Sequence, residues 1–136
     1  MSFSEAVDQL PDWVQLWVLW LNIVTIAACA VAALARVTWV EAGAILLANA
    51  LMVPTMLWLY GQVGMVRLLG LPHIVFWTPL LVWLVLRLRR RPLPAPQRIV
   101  LSVYAGSIAL SLAFDYTDVA RWLAGERAPL VPVSPA

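Results

Sequence analysis

The sequence predicts an all-α integral membrane protein, a bundle of four helices that each cross the bilayer, with both termini on the exterior side. Three observations carry this expectation. Of 136 residues, 63% are hydrophobic and 12% charged, whereas a soluble domain carries about a quarter charged residues. The apolar residues fall into runs of roughly twenty, the length that crosses a hydrocarbon core at 1.5 Å rise per residue. The basic residues are all arginine, and five of the nine lie between Arg87 and Arg98. The length suits one domain, so positions 1–124 read as a single bundle with no separate soluble part.

The first span runs from about Trp13 to Ala35, behind an acidic stretch with Glu5, Asp8 and Asp12. A signal peptide would be basic there, so the span is expected to stay in the mature protein. At 100° per residue, Trp13, Trp17 and Trp20 fall on one side and Gln15, Asn22, Thr25 and Cys29 on the other. The tryptophans read as an interfacial anchor and the polar side as facing protein.

The second span, about Val40 to Tyr60, holds Glu41 at its start, Asn49 in its middle and Pro54 late. Ala44 and Ala48 form a small-residue pair that lets another helix approach closely. The third span, Leu68 to Leu86, begins ambiguously: Gly70 and Pro72 allow either a surface turn over 65–71 or a first helical turn. The fourth, Ile99 to Leu123, follows an arginine- and proline-rich loop from Arg87 to Arg98 that reads as extended. From Gly125 to Ala136 the proline-rich tail is expected to be disordered.

Several chemistries are excluded by composition. Without lysine there is no Schiff base and no Walker-type phosphate loop. One cysteine and one histidine rule out an intrachain disulfide, thiolate clusters and multi-histidine metal motifs. No GxSxG elbow occurs. The arginine run lacks interleaved aromatics and sits between two hydrophobic spans, which argues against nucleic-acid binding. Neither a catalytic set nor a resident cofactor is expected.

Polar residues inside the spans are the candidates for function. Tyr104, Ser107, Ser111, Asp115 and Asp118 follow a three-four-four-three spacing and share an arc of about 80° on a helix. This face meets protein or water, either as a proton or cation path or as a packing face. In the packing reading, Ser107 and Ser111 are a close-contact pair, Arg121 serves Asp118, and Arg67 serves Asp115. His73, with Trp77 one turn on, is read as an interfacial residue hydrogen-bonded to backbone; the alternative is an axial ligand to haem or chlorin. Asn22 and Asn49 need partners and are expected to set helix register. Glu41 reads as an exposed pair with Arg36, or as a second acidic site on an ion path.

These features favour a small, non-enzymatic inner-membrane protein that contacts lipid and acts as a homo-oligomer or as an accessory subunit of a larger membrane complex. The rivals are a proton or cation conductor using the carboxylates, and a pigment-binding or enzymatic subunit centred on His73. The arginine loop is expected on the cytoplasmic side of a bacterial inner membrane. In a Cys29→Ser background, a cysteine placed at Pro94 should resist an impermeant reagent applied from outside the cell. Labelling there from outside would reverse the orientation.

Overall fold

A computed structural model describes residues 2–130 of the chain. Among them are five helices, α1 (Phe3–Asp8), α2 (Asp12–Ala33), α3 (Trp39–Val63), α4 (Leu71–Arg90) and α5 (Ala95–Leu123), with 3-10 turns at Arg36–Thr38 and Arg67–Gly70. The four long helices, two of them extended by those turns, have the length and apolar content to cross a membrane. Each packs on its sequence neighbour and α5 closes onto α2, an up-down-up-down bundle with short connections.

Local chemistry explains the boundaries. Ser2 and Glu5 form a capping box over α1, each side chain accepting the other residue's backbone N–H. The backbone and then the hydroxyl of Ser2 hold the Glu5 carboxyl below its usual range. α3 ends at Gly64, whose φ of 76° suits a residue without a Cβ. α4 continues through Arg90, because leucine and arginine are good helix formers and cationic side chains favour a helix C-terminus. α5 already begins at Ala95, with Pro96 in its first turn where no amide is needed for the helix. The expected extended loop therefore shrinks to 91–94. Pro54 and Pro79 lie inside α3 and α4, which continue through them.

The core runs the length of the bundle. Ile45, Leu80, Leu84 and Leu101 are buried toward the arginine-rich end, and Met52, Ile108 and Leu112 toward the other. From α2 come Val24, Ala28 and Ala32, a four-residue repeat of small side chains that brings its backbone close to its neighbours. Ala44 and Ala48 of α3 pack against the same core.

That repeat sets the rotation of α2 and corrects the expected division of its faces. Thr25 and Cys29 do turn toward the core side and are half-buried. Asn22, however, is exposed, and its amide bonds only the Val18 carbonyl of its own helix, at 3.0 Å. Among the tryptophans, Trp13 is 62% exposed, Trp17 is half-buried, and the indole N–H of Trp20 donates to Ser107 of α5 at 2.9 Å.

The opposite end carries a small second core. Ala6 of α1 is buried with Met65 and Leu69 of the turn that precedes α4. The Phe3 and Tyr60 rings meet edge to face, 5.4 Å between centroids. The amide of Leu130 donates to the Met65 carbonyl at 2.8 Å, so the first part of the tail returns to this turn. The remainder of the expected disordered tail, 131–136, lies outside the described residues. The ambiguous stretch before α4 is thus a 3-10 turn with Leu69 and Gly70 buried, packed on α5.

Gly70 makes that contact possible. A Cβ on Gly70 would stand 3.0 Å from Asp115 Oδ1, 3.1 Å from its Cβ and 3.2 Å from its Cα. The last of these is backbone and cannot swing aside. Gly70→Ala should therefore cost about 1–3 kcal/mol through overpacking, read as a lowered melting temperature in detergent. Gly43→Ala, where a Cβ meets nothing within 4 Å, should be neutral or stabilising within about 1 kcal/mol. Equal melting of the two variants would show that the turn does not bear on α5.

Candidate functional site

A helix in hydrocarbon already pairs its own backbone groups, so every further polar atom needs a partner, either a carbonyl of its own helix or a group from another element. The polar side chains answer this at three levels.

In the middle, Asn49 of α3 is the node. Its amide nitrogen donates to the Ile45 carbonyl at 2.8 Å and to the Tyr104 hydroxyl of α5 at 3.1 Å. Its amide oxygen accepts the indole N–H of Trp77, on α4, at 3.2 Å. Tyr104 is fully buried and Trp77 nearly so. Thr25 of α2 neighbours the same hydroxyl while donating to the Leu21 carbonyl at 2.7 Å. One amide group thereby joins three helices, and the fourth touches the cluster.

At the arginine-rich end, Glu41 is wholly buried, and its partner is Arg87 of α4, not Arg36. Arg87 Nε donates to Glu41 Oε1 at 2.8 Å. Nη2 lies 2.8 Å from the same oxygen as a charge contact without hydrogen-bond geometry, and Glu41 Oε2 is buried without a partner. The guanidinium also covers the Trp83 ring at 5.0 Å, a cation–π contact. The expected exposed pair fails because Glu41 starts α3 facing inward, while Arg36 stands over the Trp39 ring at 5.5 Å. Thr38, also buried, bonds the Ala32 and Ala35 carbonyls at 2.6 and 3.1 Å. Gln97 reaches from α5 to the Val31 carbonyl at 3.2 Å. Both close the frayed end of α2.

At the other end, Arg67 pairs with Asp118 at 2.8 Å and approaches Glu126 at 3.6 Å, and Arg121 pairs with Glu126 at 2.6 Å. The expected assignments, Arg121 to Asp118 and Arg67 to Asp115, are both displaced. On a helix the three-residue step from Asp118 to Arg121 allows contact, but Arg67 arrives from the packed turn and Arg121 turns to the carboxylate after the helix. Asp115 lies against Gly70, with Oδ2 buried and without a partner.

The stripe on α5 does face protein, with Tyr104, Ser107 and Ser111 buried, yet its members do not form a chain. Tyr104 joins the Asn49 node, Ser107 accepts from the Trp20 N–H and donates to the Val103 carbonyl at 2.9 Å, and Asp118 joins Arg67. His73 Nδ1 lies 3.3 Å from the Leu69 carbonyl, and the ring meets Trp77 edge-on at 4.8 Å. Among the described residues no group of three or more His, Cys, Asp or Glu side chains is placed to hold a metal.

Arg87, Trp77, Trp20, Thr38 and Gln97 are the partners that sequence reasoning did not assign. Arg87 was counted as an orientation signal, and nothing in its spacing ties it to Glu41, 46 positions earlier. Comparison with known protein families, with curated proteins and with solved structures returns no match to this chain.

The Glu41–Arg87 pair lends itself to a direct measurement. Removing one partner of a buried pair strands the other charge and costs about 3–5 kcal/mol, whereas replacing both by apolar groups can be neutral. Arg87→Met should therefore lower the melting temperature in detergent sharply, and Glu41→Leu combined with Arg87→Met should recover most of the loss. A double variant no better than Arg87→Met would mean that the pair is not energetically coupled.

Proposed function

We propose that the chain is a non-enzymatic membrane subunit that associates with a second copy of itself through the outward face of α2. Asn22 carries this reading. It is the eleventh of the 22 residues of α2, so it lies at mid-membrane depth, and it is exposed on the bundle surface. Among the described residues its one hydrogen bond is the donation to Val18, which leaves the amide oxygen without a donor. An unpaired amide in hydrocarbon costs several kcal/mol, and neither lipid tails nor water at that depth supplies a donor. A second copy does: across a two-fold axis each Asn22 amide donates to the other's oxygen, a self-complementary contact. Exposed Ala30 and Ala33, toward the end of the same helix, leave room for close approach.

The interior supports a structural role more than transport. Its buried amide, indole and phenol are consumed by contacts between helices, and Ile45, Leu84 and Leu101 lie between the Glu41 and Asn49 levels. The charges support the orientation. The end carrying the α4–α5 turn has six arginines and the other has three, an arginine bias that favours that turn in the cytoplasm.

The experiment is the mass of the purified chain in mild detergent. Wild type should run as a dimer or higher oligomer, and Asn22→Leu as a monomer with its melting temperature nearly unchanged, since Asn22 makes no tie inside the bundle. A wild type that is monomeric at every concentration, or an Asn22→Leu variant with undiminished assembly, would refute the reading.

A further inference from the structure

We propose that the turn joining α4 to α5 is a binding site for the phosphate headgroups of anionic phospholipids, held by Arg89, Arg90 and Arg91. Of the six arginines at this end, two are spent within the fold. Arg87 is committed to Glu41, and Arg98 Nη2 donates to the Leu88 carbonyl at 2.9 Å and the Arg91 carbonyl at 3.1 Å. Arg36 stands over Trp39. Among the described residues Arg89, Arg90 and Arg91 find no acceptor, and the first two are exposed.

The turn that displays them is fixed, which distinguishes this surface from a basic tether. Leu88 before it and Leu93 within it pack against the bundle core, and Arg98 crosses the turn to bond a carbonyl on each side of Arg90. The three free guanidinium groups are thus held where the apolar surface of α4 ends, at headgroup depth. Trp39 and Trp83, each beneath an arginine, belong to the same level, the usual position of interfacial aromatics. A lipid phosphate offers what these groups lack, charged oxygen acceptors for fork-like N–H donors, and the single carboxylate in this region, Glu41, is buried away from them. The site needs no second copy of the chain and is independent of Asn22.

A basic residue near an anionic surface contributes roughly fivefold in affinity, so three together give up to about a hundredfold. The test is competition between phosphatidylglycerol and phosphatidylcholine for the purified full chain, read by native mass spectrometry. Wild type should prefer phosphatidylglycerol by roughly ten- to a hundredfold at low salt, and less at high salt. R89Q/R90Q/R91Q should bring the preference close to one, with the melting temperature in phosphatidylcholine unchanged. Should the triple variant fail to fold, R89Q and R90Q singly should each lower the preference by about fivefold. Inorganic phosphate at millimolar concentration should not displace the lipid. Equal retention of both lipids by wild type, a preference that survives the substitutions, or displacement by inorganic phosphate would each overturn the proposal.

Discussion

The structure depends on one amide group. Asn49 stands in the middle of α3, where water is absent and every unpaired donor or acceptor is expensive, and it resolves this by accepting a hydrogen bond from the Trp77 indole and donating one to the Tyr104 hydroxyl. Apolar packing chooses the face of a helix, as the small residues of α2 do, but leaves its register loosely fixed, since one leucine surface is much like another. The Asn49 contacts have one register. If α4 or α5 slips by a residue, an indole or a phenol is left buried without its partner. The energy per bond is modest, about 0.6 to 2 kcal/mol in a membrane, so the node acts more by penalising wrong arrangements than by strengthening the right one.

The charges at either end obey the same constraint with higher stakes. Glu41 is held inside by Arg87 and cannot reach water, so α3 and α4 are tied at the level where their apolar surfaces stop. At the far end Arg67 reaches Asp118 only because Gly70 lets its turn lie flat on α5. Asp115, on the same contact, keeps its buried Oδ2 without a donor among the described residues. Close backbone approach thus takes precedence there over pairing of a carboxylate.

The spans were legible because hydrocarbon imposes a length, and apolar runs of that length have no other common use. The protein-facing side of α5 was legible for a similar reason: polar residues three and four apart leave one arc for burial. The rotation of α2 was not, since three tryptophans are conspicuous in a sequence while Val24, Ala28 and Ala32 are not, yet the small residues decide which side packs. Partners across helices, such as Glu41 with Arg87, are beyond spacing rules, because the distance along the chain says nothing about adjacency in a bundle. The capping box of α1 is written in Ser2 and Glu5, three residues apart, beside the acidic charge that the segment shows first.

The Arg67–Asp118 contact bears on how the chain is made. The two residues are 51 positions apart, and synthesis at roughly 5–20 residues per second delivers the aspartate about 3 to 10 s after the arginine. In the proposed orientation, a hairpin of α3 and α4 inserted as soon as it is made would carry Arg67 across without its carboxylate partner, a barrier to insertion. Nothing in the finished bundle reveals that barrier, because the contact forms only when α5 follows. The loop is thus kinetically exposed during biogenesis, and the last helix to emerge is the one that secures it.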